Sequence, residues 1–251
     1  MDQNVGELPP SLAAAWGLQA RPGKGPKPGL SLDRIVGAAV RVAEGEGLPA
    51  VSMARVAKEV GVTAMALYRY VGNKDELLAL MVDAALGDPP DALASGLGWR
   101  EGLTEWAWAE NATYRRHPWA LRVPIQGIPA LPNQLTWMEY GLRCFTDSGI
   151  DEEEQLSAIL LISSLVRVYA LMNLELSTAT GDADPNEVMA GYTQMMTKIL
   201  DPQRFPALSK VLASGVMAKA DPVDDELAFG LARVLDGIEV LVAKAKAGPA
   251  E

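Results

Sequence analysis

Histidine and cysteine are almost missing from this 251-residue chain: His117 and Cys144 stand alone. A single cysteine rules out an intramolecular disulfide and a thiolate zinc cluster within one chain, and it suits a reducing, cytoplasmic compartment. A single histidine leaves no histidine-rich metal site and no Ser-His pair distributed along the chain. Strand patterns are missing too, so no glycine loop follows a strand to cradle phosphate. An enzyme is not expected, nor a cofactor, nor a metal. Asp182, Asp184 and Asn186 imitate the opening of a calcium loop, but Glu187 stands where glycine is needed and Thr193 where the bidentate glutamate belongs. A helix cap explains them. The opening residues MDQNVGELPP lack a basic segment followed by an apolar one, so no secretory signal is read. One apolar run is long, from Leu156 to Leu176, yet it holds Arg167. An arginine at the centre of a bilayer costs roughly 2.5–3.5 kcal/mol. A central, fully enclosed helix is expected there, and no membrane partner.

What is present is a soluble composition, 49% hydrophobic and 22% charged, with a formal net charge of −10. That balance alone argues against nucleic acid, but the charge is unevenly placed. Between Ala20 and Lys74 nine cations face four acids, a local excess of +5, which leaves −15 for the rest. A basic end on an acidic body is the asymmetry of a chain that meets phosphate with one part only. Residues 1–29 read as a flexible basic arm: RPGKGPKPG alternates Pro or Gly with Arg21, Lys24 and Lys27, cations suited to a narrow minor groove. Trp16 is expected to pack on the domain.

The organising stretch is Val51 to Lys74. Ser52 is placed to cap a helix whose Met53, Val56, Ala57 and Val60 recur at helical spacing. Gly61 supplies the bend, and Thr63 is placed to cap a second helix, which runs on to Tyr70 with Leu67 inward. Its other flank shows Ala64, Met65, Tyr68, Arg69 and Tyr70, small or hydrogen-bonding side chains suited to a groove. Before it, Leu32, Ile35, Val36, Ala39, Val40 and Ala43 make one apolar stripe; after it, Asn73 and Glu76 open a connecting helix with a capping-box pattern. Together these make a helix-turn-helix unit over residues 30–77.

Residues 78–251 read as a larger helical domain for effector binding and dimerisation. Trp106, Asn111, Trp137, Met138, Met172, Asn173, Tyr192 and Met196 combine apolar bulk with a few amides, the chemistry of a roomy pocket. His117 adjoins the aromatic Trp106–Trp119 region, and Arg167 and Asn173 need partners that a ligand or a facing subunit would supply. In the last helix Leu227, Leu231, Val234, Ile238 and Leu241 alternate in steps of four and three, a helix–helix seam. Such a stripe either closes its own core or meets a second copy. Beside a palindrome-reading module the two-fold interface is expected.

With these elements in place, the chain resembles the TetR family of transcriptional regulators. The likeness is carried by Glu46-Gly47, Ser52-Met53, Val56-Ala57, Gly61-Val62-Thr63, Ala66 to Val71 and Asn73 to Leu77. The closing helix, Phe229-Gly230-Leu231 through Leu235-Asp236-Gly237-Ile238, resembles that of the branch nearest the tetracycline repressors. The arm lies outside the usual family pattern. The resemblance implies an all-α homodimer with a three-helix DNA-binding unit and a divergent sensor domain. A small apolar or aromatic effector would release it from a palindromic double-stranded DNA operator. Implied DNA contacts are Ser52 and Arg55, then Thr63, Ala64, Met65, Ala66, Tyr68, Arg69 and Tyr70, then Lys74. The alternative is a helical dimer that binds a small molecule and has lost specific DNA binding.

Overall fold

The computed structural model describes residues 10–18, 30–90, 97–125 and 127–247. Among these it shows eleven α-helices, short 3-10 turns and no strand. Arg21, Lys24 and Lys27 lie outside the described residues.

The N-terminal unit follows its caps. Ser31 Oγ accepts from Arg34 N and opens α2 (Leu32–Glu46); Ser52 Oγ accepts from Arg55 N and opens α3 (Met53–Val60); Asn73 Oδ1 accepts from Glu76 N and opens α5 (Lys74–Leu86). Each bond satisfies one amide that a helix start leaves free, worth about 1 kcal/mol. Glu76 completes its capping box one residue early, taking Gly72 N–H rather than the Asn73 amide. Between α3 and α4 (Ala64–Leu67) Gly61 sits at φ 78°, a left-handed conformation that a Cβ would oppose. Ile35, Val56, Leu67, Leu77 and Met81 have no exposed surface and form one core. A short helix α1 (Pro10–Ala15) lies against this core through Leu12 and Ala15, and the Trp16 indole donates to Ala130 O at 2.9 Å.

That core does not stop at residue 77. Trp119, Ala120, Val123 and Leu131, from the bend after α6 (Trp99–Arg116), enter it. A second core gathers α6, α7 (Pro132–Arg143), α8 (Glu152–Thr180) and α11 (Asp225–Ala247) around Leu103, Trp106, Ile159, Ile162 and Leu231. The approach of α7 is close: a Cβ at Gly141 would come within 2.6 Å of Ile159 Cδ1 and 3.1 Å of the Trp106 ring.

Two expectations about this region change. Helix α8 is long and apolar enough to cross a bilayer by length and composition, but it is not fully enclosed. Leu161, Val168, Met172 and Leu176 are exposed along one side, while Ile159, Ile162 and Val166 are buried on the other. The α11 seam closes the protomer's own core instead of being held out for a second copy. Leu227, Leu231 and Ile238 are 2–4% exposed in a single chain, and Val234 and Leu241 pack against the same cluster. Helix α9 (Pro185–Ile199), capped by Asp184 Oδ1 on Asn186 N, has no buried residue and packs with α10 (Pro206–Ala213) and the turn at 216–218.

Candidate functional site

Two surfaces carry chemistry. The first is the outer flank of α4. Leu67 is wholly buried and pins the element, while Met65 is 71% and Tyr68 49% exposed. The regular helix is shorter than the expected Thr63–Tyr70: it ends at Leu67 and passes into turns closed by Tyr70 N to Leu67 O at 2.8 Å and Val71 N to Leu67 O at 3.0 Å. Thr63 makes no side-chain capping bond, so its hydroxyl remains outward with Arg69 and Lys74, all exposed. Ala64 and Ala66 are half-buried and keep that flank low.

Two expected DNA contacts are otherwise engaged. The Tyr70 hydroxyl donates to Leu30 O at 3.1 Å, tying the entry of α2 to the turn after α4. Arg55 is held between carboxylates: Nη2 lies 2.5 Å from Glu46 Oε1 and Nη1 2.8 Å from Glu59 Oε2. These hydrogen bonds push its pKa further up, so it is a fixed cation whose field the two acids offset. Ser52 accepts from a helix amide, which leaves its own O–H for a phosphate.

The second surface is a cavity of about 1010 Å³ between the two cores. Connecting helix α5 forms one wall through Ala79, Leu80 and Leu86; Trp137 and Met138 of α7 and Leu160 of α8 form others; Ser11 and Leu12 of α1 close part of the rim. Of the residues expected to bind a ligand, Trp106, Trp137, Met138 and Arg167 stand together here. Asn111, His117, Met172, Asn173, Tyr192 and Met196 are not among the described lining residues, for identifiable reasons. Asn111 is buried on α6 away from the cavity. His117 Nδ1 reaches Glu44 Oε1 at 3.0 Å, joining the end of α6 to α2, and its ring meets Trp119 edge-on. Met172 is exposed on α8, and Tyr192 and Met196 ride on the outlying α9. Asn173 Nδ2 finds Val223 O at 3.4 Å, and Arg167 donates to Leu121 O at 3.1 Å and Val123 O at 2.8 Å. Both polar groups find partners within their own chain.

Glu110 is the cavity residue the sequence reading passed over. It is 5% exposed, and its Oε1 accepts from Ser163 Oγ at 2.7 Å and Tyr114 Oη at 3.3 Å. Burial pushes its carboxyl up to about 7, against the pull of those bonds and of Arg167. Burial likewise pushes up the Tyr114 phenol. A signal existed. Glu110 falls on the same stripe as Leu103, Trp106, Ala107 and Tyr114, where a carboxylate is costly to bury and so stands out.

The connector and the sensor are latched at one point. Asp83 Oδ1 accepts from Gln134 N at 2.9 Å, Asn133 Nδ2 donates to Asp83 O at 2.9 Å, and Trp137 Nε1 donates to Gly87 O at 2.9 Å. Burial raises the Asp83 pKa, and its bonds to residues 133 and 134 oppose that rise.

A bared helix-turn-helix flank, a cavity walled by the helix that leaves it, and a latch between them define a ligand-responsive DNA-binding regulator. Comparison with known proteins places it within that class. Residues 35–81 match the family described as "Bacterial regulatory proteins, tetR family", and residues 92–242 match "Tetracyclin repressor-like, C-terminal domain". The chain belongs to the TetR family. It is 41% identical to the HTH-type transcriptional repressor DrrR1 of Streptomyces coeruleorubidus over 245 residues, 95% of this chain and 88% of that protein. It superposes on apo ActR from Streptomyces coelicolor with a TM-score of 0.70 at 28% identity, covering 86% of this chain and 99% of ActR. ActR in complex with actinorhodin gives a TM-score of 0.69 at 28% identity, covering 83% of this chain and 95% of that one.

Proposed function

We propose that this chain is a cytoplasmic, dimeric repressor that leaves a palindromic operator when a small apolar or aromatic molecule fills the cavity. The observation that carries this is the cavity wall. The helix lining it, α5, also packs into the DNA-binding core and bears Lys74 at its first turn. An occupant held between α5 and α7 touches both walls and favours whichever spacing of the two it fits best. Because Asp83 latches the two, displacement of α7 is passed to α5 and so to the reach of α4. A relative solved with actinorhodin bound and a relative named as a repressor both support the reading.

Dimerisation is assigned to the bare sides of α8 and α11. Leu161, Val168, Met172 and Leu176 on one helix and Phe229 and Val240 on the other are exposed at spacings that keep each set on one face. Gly237, on the same side of α11, has nothing within 4 Å of a built Cβ and lets a second copy approach closely.

The test is recovery of bound fragments from randomly sheared genomic DNA, followed by footprinting. A two-fold symmetric protected site is expected, with half-sites about one helical turn apart or a multiple of it. Failure to select any sequence, with tight small-molecule binding retained, would establish the alternative of a binding dimer without an operator.

A further inference from the structure

Glu110 Oε2 has no hydrogen-bond partner, although the residue is buried and lines the cavity. A buried carboxyl oxygen without a partner carries a desolvation cost of about 1–3 kcal/mol. Its twin, Oε1, already takes both neighbouring donors, Ser163 and Tyr114. The nearest cation is committed elsewhere: Arg167 bonds to two main-chain carbonyls, and its guanidinium lies 5.8 Å from the Tyr114 ring centre. Among the described lining residues the acids are Asp75, Glu76 and Glu110, and the one base is Arg167. The remaining wall is largely apolar, with Leu80, Trp106, Trp137, Met138 and Ile159 in it.

We infer that Glu110 is the polar anchor of this cavity and that the effector is an amphipathic cation, an apolar or aromatic body bearing an amine that donates to Glu110 Oε2. The inference rests on the reading of the cavity as the effector site. A protonated amine supplies the missing donor, and the excess of acids in the walls favours positive charge. It also draws Glu110 into its ionised form, so binding competes with the proton the empty carboxyl holds near neutrality. Tyr114, Arg167, Asp75 and Glu76 are the other titratable and charged groups among the cavity's described lining residues. None of these donates to Oε2.

Two tricyclic probes of like size test this: 9-aminoacridine, cationic at neutral pH, and acridone, its neutral counterpart. Each is titrated into the full-length wild type and Glu110→Gln, followed by quenching of tryptophan emission from the Trp106–Trp137 wall. For 9-aminoacridine we expect about a tenfold or greater loss on substitution, with acridone changed by less than about threefold. Between about pH 6 and pH 8 the wild type should bind the cation about tenfold more tightly as Glu110 ionises, and Glu110→Gln should show no such slope. Equal 9-aminoacridine affinity in both proteins overturns the anchor and leaves the cavity reading in place. Loss of acridone binding alone overturns the cation, since Glu110 would then be donating to a carbonyl. Failure of both probes to bind the wild type overturns the cavity reading itself. Melting curves of both proteins, recorded at pH 5 where Glu110 is mostly protonated, guard against a folding defect being read as lost binding.

Discussion

The unit that faces DNA and the helices beyond α7 treat their apolar residues in opposite ways. Around α2, α3 and α4 the chain encloses its own large side chains, and Ile35, Val56 and Leu67 have no exposed surface. Beyond α7, α8 and α11 bury one side against each other and leave the other bare, and α9 buries nothing. One region is a closed structure that presents a surface; the other leaves an apolar face bare in a single chain. The difference separates two kinds of apolar stripe that look alike in a sequence: one that meets its own chain and one that its own chain leaves uncovered.

The sharpest way to break this comparison is to place charge on each kind of stripe. Leu231→Asp puts an unpaired carboxylate into the α8–α11 core, and loss of a cooperative melting transition is expected. Val168→Asp combined with Phe229→Asp should keep the helical circular dichroism while sedimentation shifts to a monomer and operator binding disappears. A folded Leu231→Asp monomer would reverse the assignment of the two faces. Within the closed unit, Leu67→Ala should lower stability by about 2–5 kcal/mol in denaturant melts. Its neighbour Tyr68→Ala should stay within about 0.5 kcal/mol and lose DNA affinity instead.

Glu110 tests the sensor core through pH. Its pKa of about 7, against an ordinary 4.5, means the folded chain keeps a proton that the unfolded chain has released between those values. Stability therefore falls as pH rises from 4.5 to 7, and a penalty of about 3 kcal/mol persists above it. Glu110→Gln should raise the melting point at pH 8 and leave it nearly unchanged at pH 4. A gain equal at both pH values would show that the carboxyl is not protonated by burial. The smallest effect separates two cations on the DNA side. Lys74→Ala should reduce the slope of log affinity against log salt by about one, while Arg55→Ala, already offset by Glu46 and Glu59, should leave that slope unchanged.

What could be read in advance follows from how local each feature is. Ser31, Ser52 and Asn73 each act within three residues of themselves, and Gly61 acts at its own backbone, so the N-terminal unit was open to inspection. The length of α4 was overestimated because the turn after Leu67 continues helix-like bonding through Tyr70 and Val71. The α11 seam was correct as a seam and mistaken as to its partner, because spacing records that a face is covered and not by what. The cavity was harder still. Its walls come from α1, α5, α6, α7 and α8, and no interval along the chain brings Leu80 to Met138. Tyr192 and Met196 matched its chemistry but lie on an element outside it. Glu110, by contrast, was visible in the spacing of its own helix.

The joint at Asp83 has a consequence for how this molecule is able to change. Its grip falls on the main-chain amide of residue 134, and one of the returning bonds falls on its own carbonyl. A hinge hung on the peptide frame is indifferent to many of the side chains around it. Lining residues that take no part in it, Met138 or Leu160 for instance, are therefore open to exchange one at a time without breaking these bonds. The shape of the cavity and the joint to α5 thus rest on different atoms, apart from Trp137, which serves both.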